Sequence, residues 1–420
     1  MAAVGDEPGP AARPGRRTEL DAIRALVVVG LVFFHSALVF DAEDDFYVKN
    51  PETVDATMIL AGIGVVWAMP ILFLIAGLGS WHSLLKRGPG GFTAERLLRL
   101  GVPLVFATLT IIPVPQWLRL RAADPAYHES YPRFLRDFFD VRLDFGEFPF
   151  VVRGEHFETG HLWFVVLLLT FSLLLAPLTG RLPDAVGRRV RDGLASAVRR
   201  RGVVLLAAVP FAVICALLGL EEAFGGWSRW AYLLFFVCGY VLASDERFRT
   251  AMRRDAMPAA VTGAALFVLA LPAVIAAGEA PDSDAFTDMT AIAILARALF
   301  GLAGWCWLVA ILGLLDRRRE HRATPPGPPE PPDTVDRAVP PAGRRRRMYG
   351  YLATAVLPIY ILHQPIVVAV AYGVVGHDAP ILVKYTVIVV TSLVLTVVAY
   401  DVLVRRTRVT RFLFGMRARP

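Results

Sequence analysis

Residues Leu20 to Asp41 read LDAIRALVVVGLVFFHSALVFD, an apolar run long enough to cross a bilayer that still carries two ionisable side chains, Arg24 and His35. Their spacing of eleven positions returns a helix, at about 100° per residue, to within roughly 20° of its starting direction and separates them by about 16 Å along the axis. Arg24, Leu31 and His35 therefore share one stripe. The two polar groups are too far apart to touch, yet both can line one side of a common cavity. Ionisable groups at membrane depth are costly and face a bundle interior or a water-filled path, which makes this stripe the first functional candidate.

The rest of the chain repeats the apolar theme. Of its 420 residues 55% are hydrophobic and 19% charged, below the quarter or so usual for a soluble protein, and the apolar residues cluster in runs of membrane-spanning length. The net charge of +7 does not imply a nucleic-acid partner, because the arginines sit between apolar runs with no base-stacking aromatic motif among them. Cys215, Cys238 and Cys306 lie inside apolar runs without metal-ligand spacing and read as packing residues. The first run is too long for a typical signal-peptide core and is followed by acidic residues, so it reads as a retained span.

Ten apolar runs follow one another: 20–41, 57–85, a third ending near Trp117, 161–178, 203–220, 227–243, 258–277, 290–315, 349–375 and 381–404. Arginine-rich connections (Arg181 to Arg201, Arg247 to Arg254, Arg405 onward) alternate with acidic ones (Asp41 to Asp55, Glu221-Glu222, Glu279 to Asp288). The positive-inside rule then predicts an all-α, polytopic transmembrane helical bundle of about ten spans with both termini cytoplasmic. Residues 1–19 read as a disordered cytoplasmic tail, 20–404 as the transmembrane domain, 316–347 as a Pro/Arg-rich cytoplasmic linker within it, and 405–420 as a basic cytoplasmic tail. The connection from Leu120 to Gly160 is long enough to have structure or function of its own. In this topology Arg24 lies toward the cytoplasmic face and His35 past the midplane toward the outside.

Six further side chains stand out within these spans. Arg96 and Arg99 open the third span, where they serve either as positive-inside anchors or as a clamp for phosphates. His161 and Trp163 open the fourth span at its outer rim, as interfacial residues or as a site facing an outside substrate. His363 lies mid-span between Pro358 and Pro365, either satisfying carbonyls freed by proline or lining a cavity. Arg297 sits inside the eighth span and either snorkels to the interface or awaits an anionic group. Asp21, three residues before Arg24, offers it a structural partner. Ser36 projects about 100° away from the adjacent His35, so neither it nor Ser172 reads as a nucleophile. The eight histidines form no metal-binding motif.

These residues carry a resemblance. The chain resembles the acyltransferase-3 family of bacterial integral membrane proteins, whose first span reads LDGxRAxA…H; here Arg24 and His35 stand at that spacing, with Ala22 in place of the usual glycine. The family's MPxFFxxSG is matched at Met69 to Gly77, with Ala76 where serine is common, and its RxxRLxxP at Arg96, Arg99, Leu100 and Pro103. A GHLWFL-like start is matched at Gly160 to Val165 and a YLLHQP-like stretch at Tyr360 to Pro365. The last two motifs resemble the glucan-biosynthesis C branch, associated with succinylation of periplasmic glucans.

The resemblance implies a multi-pass protein of the bacterial plasma membrane. It implies transfer of an acyl group from a cytoplasmic acyl-CoA-type donor to a hydroxyl of an envelope carbohydrate or similar acceptor outside, with no other cofactor. His35 and Arg24 match the family's essential pair, and His35 becomes the expected general base. Arg96 and Arg99 become the donor clamp. His161, Trp163, His363 and Arg297 become candidates for substrate binding, with Arg297 suited to a succinyl carboxylate. The competing class is a carrier of an anionic or lipid-linked molecule, which also uses proline-broken spans and intramembrane cations. A non-catalytic subunit that needs a soluble partner is a third class.

Overall fold

The computed structural model of the chain describes residues 18–42, 44–54, 64–181, 183–278, 283–322 and 344–416. They are overwhelmingly helical. Seven helical stretches among them are long and apolar enough to cross a membrane: Thr18–Leu38, Ala68–Ala123, Gly160–Arg181, Glu246–Gly278, Ala291–Glu320, Gly350–Val374 and Ile381–Val404. The sixth apolar run, 227–243, forms the shorter helix Arg229–Leu242, and the fifth is broken into Val203–Leu206 and Ala208–Leu218.

In chain order the helices are α1 (Thr18–Leu38), α2 (Ala68–Arg96), α3 (Val102–Thr110), α4 (Pro113–Ala123), α5 (Tyr131–Phe138), α6 (Trp163–Arg181), α7 (Asp184–Ala197), α8 (Val203–Leu206), α9 (Ala208–Leu218), α10 (Arg229–Leu242), α11 (Glu246–Gly278), α12 (Ala291–Arg322), α13 (Arg344–Val374), α14 (Ile381–Ala399) and α15 (Arg408–Leu413). Strands β1 (Val141–Leu143) and β2 (Val152–Gly154) pair antiparallel, with Arg142 opposite Arg153. With α5 they give the long connection before Gly160 its own structure.

Two glycines set how the core helices meet. A Cβ on Gly77 would fall onto the Phe236 carbonyl, and one on Gly239 onto the Leu74 carbonyl. Helices α2 and α10 therefore cross backbone to backbone, in the small-residue mode of membrane helices. Around this crossing Phe73 packs on Phe164, Phe171, Trp163 and Tyr232. Elsewhere α11 packs along α12, and α1 lies against α13 and α14.

Proline shapes α2 and α3. Gly88 has φ of 68° and kinks α2 just before Pro89. Leu97–Gly101 then adopts a π-turn. Pro103 has no N–H to return to the Arg99 carbonyl, and the widened turn accommodates that missing bond.

The acidic and the arginine-rich connections lie at opposite ends of the bundle. At the arginine end, Arg247 pairs with Asp192 at 3.0 Å and Arg249 with Asp316 at 3.1 Å, while Arg254 donates to the Val198, Arg199 and Arg200 carbonyls. These contacts carry α12 on through Arg322, past the expected linker boundary at Asp316. Of that linker 323–343 lie outside the described residues, as do 1–17 and 417–420 of the tails. At the acidic end Lys49 folds its loop by donating to the Leu38 carbonyl at 3.1 Å, the Asp44 carbonyl at 2.7 Å and the Asp41 carbonyl.

Candidate functional site

A cavity of about 1600 Å³ opens at the acidic end. Its walls come from the loop after α1 (Asp44 to Tyr47), the β-hairpin, residues 157–161, the 220–225 turn and the 284–287 turn. It also runs down α1, where Leu38, His35, Leu31, Val27 and Leu26 all line it. Of the stripe that spacing defined, Leu31 and His35 thus line the cavity, and Arg24 lies beyond its lower end.

Three histidine rings meet beside the cavity: His35 and His161 line it, and His363 is packed behind them. The His35 and His363 ring centroids are 5.2 Å apart, and those of His161 and His363 are 5.1 Å apart. His35 also stacks on Phe46 at 5.9 Å. His363 is 0% exposed and His161 6%. His161 was expected at the rim; it is instead buried in a single 3₁₀ turn, Gly160–Leu162, docked on α13.

That docking follows from one proline. Pro365 lacks the N–H that would bond the Ile361 carbonyl four residues back. His161 Nε2 lies 3.1 Å from that carbonyl and donates to it. The His161 backbone N–H donates to Gln364 Oε1 at 3.2 Å, and its carbonyl accepts from the Tyr360 hydroxyl. Of the two histidines, it is therefore His161 that fills the proline gap. His363 spends Nδ1 on the Tyr360 carbonyl at 2.6 Å; its Nε2 and His35 Nδ1 are both buried without a partner among the described residues. Among the described residues no group of three His, Cys, Asp or Glu side chains is arranged to hold a metal ion. Ser36 and Ser172 donate to carbonyls four residues earlier in their own helices, at 2.7 and 2.8 Å.

Acidic and aromatic groups surround the histidines. The Tyr47 hydroxyl donates to Glu158 Oε1 at 2.5 Å. Burial pushes both the Tyr47 phenol and the Glu158 carboxyl up, though Tyr47's hydrogen bond draws Glu158 back. Burial also lifts the Asp44 carboxyl to about 6, with Lys49 opposing and Glu222 adding. Arg119 pairs with Asp45, and Arg229 with Glu221 at 2.9 Å and Glu147 at 3.2 Å, so these cations are balanced locally. Trp163 forms an aromatic wall with Phe224 and Tyr232, at 5.5 and 5.4 Å.

The second constellation lies toward the arginine end. Arg24 donates to the Ile75 carbonyl of α2 at 3.3 Å and lies 3.7 Å from Asp21. One turn along α2, Ser80 accepts from Arg96 at 3.2 Å, and Arg96 lies over the Phe92 ring at 4.8 Å. Its electrostatic neighbours include Arg24, Arg87 and Arg99. Glu95 is 3.2 Å from Arg87 and 3.6 Å from Arg99. Four guanidiniums thus share a neighbourhood with Glu95 and Asp21, a surplus of positive charge suited to a polyanion.

Arg297 is the candidate that stands apart. It is 1% exposed and does not line the cavity. Its guanidinium donates to the Ala216 carbonyl at 3.1 Å and the Ala285 carbonyl at 3.2 Å. It secures the C-terminal end of α9, whose last carbonyls have no helical donors. Conversely, Tyr47, Glu158, Tyr360 and Gln364 belong to the site although sequence reasoning passed over them. The last two flank His363 in the YILHQP motif, and Glu158 stands two residues before Gly160.

No curated protein and no solved structure matches the chain. A family model does, the one described as an acyltransferase domain, over residues 17–401. With nearly the whole chain matched, and with apolar helices of spanning length framing a histidine-lined cavity, this protein belongs to the acyltransferase-3 family and is an integral, multi-pass membrane acyltransferase.

Proposed function

We propose that the protein carries an acyl group from a cytoplasmic acyl-CoA-type donor to a hydroxyl of an extracytoplasmic carbohydrate or similar envelope acceptor. In this reading ten spans sit in a bacterial plasma membrane with both termini inside. The observation that carries it is the cavity itself, which opens among the acidic loops, passes His35 and descends α1 to Leu26, while Arg24 and Arg96 cluster separately between α1 and α2.

The chemistry follows from those two ends. Arg24, Arg96 and Arg99 hold the donor's phosphates, and guanidinium forks suit phosphate oxygens. The acceptor hydroxyl meets His35, whose neutral imidazole takes the O–H proton as the oxygen attacks the thioester carbonyl carbon. The C–S bond then breaks, and the leaving thiolate recovers the proton from the imidazolium. Trp163 offers a flat apolar face to a sugar ring, and Glu158 and Asp44 offer acceptors to its hydroxyls. His161, with Nε2 committed to Ile361, retains Nδ1 for a substrate hydroxyl. The YILHQP and GHLWFV motifs favour the glucan-biosynthesis C branch, hence a dicarboxylic acyl group such as succinyl.

Mass spectrometry of surface glycans tests this. Cells with the wild-type protein carry ester-linked acyl groups, and cells with His35→Ala, at near-normal membrane abundance, lack them. Full acylation in the His35→Ala cells sinks the assignment. If wild-type cells carry no more ester than cells lacking the protein, the carrier reading takes its place.

A further inference from the structure

The structure assigns His363 as the residue that fixes the tautomer of His35, by offering its Nε2 lone pair to the proton on His35 Nδ1 and so turning the basic Nε2 of His35 toward the acceptor. This rests on the reading of His35 as general base and adds what orients that base.

The argument starts from the one hydrogen bond His363 makes. A carbonyl oxygen only accepts, so the 2.6 Å contact with the Tyr360 carbonyl places a hydrogen on His363 Nδ1. A neutral imidazole with its hydrogen on Nδ1 has an unshared pair on Nε2. That Nε2 is fully buried and has no partner among the described residues, a costly state for an acceptor at membrane depth. The neighbouring donors are committed elsewhere: the Tyr360 hydroxyl donates to the His161 carbonyl, His161 Nε2 to the Ile361 carbonyl, and Ser36 to the Val32 carbonyl. One group beside it is also buried and unspent, His35 Nδ1, on a ring 5.2 Å away between centroids. Two imidazoles joined nitrogen to nitrogen have centroids about 5 Å apart, since each nitrogen lies about 1.1 Å from its ring centre and the bond adds about 2.9 Å. The observed spacing therefore allows that bond after a tilt of the rings.

The consequence concerns catalysis. With its proton on Nδ1, His35 presents a lone pair at Nε2, the nitrogen left for the cavity it lines. With the proton on Nε2 it would present a donor, which cannot accept the hydroxyl proton. His363 thus takes the place that a carboxylate holds beside histidine in other acyl-transfer sites. A neutral partner avoids the desolvation cost that a buried carboxylate would carry at this depth. His363 touches no substrate in this scheme; it is a positioning residue.

Three variants in proteoliposomes decide the matter: His363→Gln, His363→Leu and His35→Ala. Gln places an amide oxygen near the site of Nε2, whereas Leu fills the space without an acceptor. His363→Leu is expected to lower kcat about 100-fold with the acceptor KM nearly unchanged, and His363→Gln to recover at least tenfold of that loss. Equal loss in both variants overturns the inference, because packing rather than hydrogen bonding is then what His363 supplies; so does wild-type kcat in both. If the Leu variant fails to fold, Gln against His363→Ala gives the same contrast. Wild-type activity in His35→Ala would instead bring down the base assignment, whatever the His363 variants do.

Discussion

Arg96 shows how single residues in this protein serve structure and chemistry together. Its guanidinium donates to Ser80 and lies over Phe92, which holds it in place, yet its Nε is buried without a partner among the described residues. Arg87 and Arg99 share Glu95, so one carboxylate is divided between two cations. A polyanionic donor would complete this arrangement. Charge-assisted hydrogen bonds are each worth about 1.5–3 kcal/mol, so Arg96→Ala with Arg99→Ala should raise the donor KM by about 10- to 100-fold or more and move kcat less. Steady-state rates against acyl-CoA concentration check this, and an unchanged donor dependence removes the clamp. Arg297 teaches the converse. From sequence it was one more intramembrane cation, and only the folded chain reveals that its hydrogen bonds go to the carbonyls of Ala216 and Ala285.

At the scale of elements, the site depends on how irregular helices are held. Pro365 frees a carbonyl in α13, and His161 fills the gap, so the 3₁₀ turn at the start of α6 is fastened to α13 through a side chain. The Gly77–Gly239 contact does the equivalent for α2 and α10, and α2 carries Ser80, Arg87 and Arg96. Gly77→Ala puts a methyl onto the Phe236 backbone, which cannot yield as a flexible side chain would. Overpacking of this kind costs about 1–3 kcal/mol. Gly79, two residues on, has nothing within 4 Å of the same added atom, so Gly79→Ala should be neutral or slightly stabilising. Thermal unfolding of the purified protein in detergent should separate the two, with a lower Tm for Gly77→Ala alone; equal Tm values would mean the crossing relaxes freely.

The whole molecule is polar along one axis in its charges. Arginine-rich connections form an ion-pair network at one end, and acidic loops line the cavity mouth at the other. The positive-inside rule expects the arginine end on the cytoplasmic side. This is testable in a background with Cys215, Cys238 and Cys306 replaced by Ala. A membrane-impermeant maleimide applied to intact cells should label Asp45→Cys and leave Arg188→Cys unlabelled until the cells are opened. Labelling of Arg188→Cys in intact cells would reverse the orientation and with it the direction of acyl transfer.

What the sequence determined by itself is what local chemistry determines. Runs of apolar residues at spanning length dictated helices, and their arginine-rich and acidic connections divided the chain into two ends. The eleven-residue spacing of Arg24 and His35 placed them on one stripe whatever the neighbours were. Tertiary structure alone decided the rest, because each such question concerns a contact between distant segments. Whether the stripe faced a cavity depended on α2, α3 and the 157–161 loop coming round it. That His161 and His363 join His35 depended on α6, α13 and α1 converging across more than 300 residues of chain. Spacing along one helix cannot say which of its carbonyls another segment's histidine will find, nor which buried arginine will be used up in holding a helix end. Those outcomes follow from the rule that buried polar groups must be partnered, applied once the packing has brought the partners within reach.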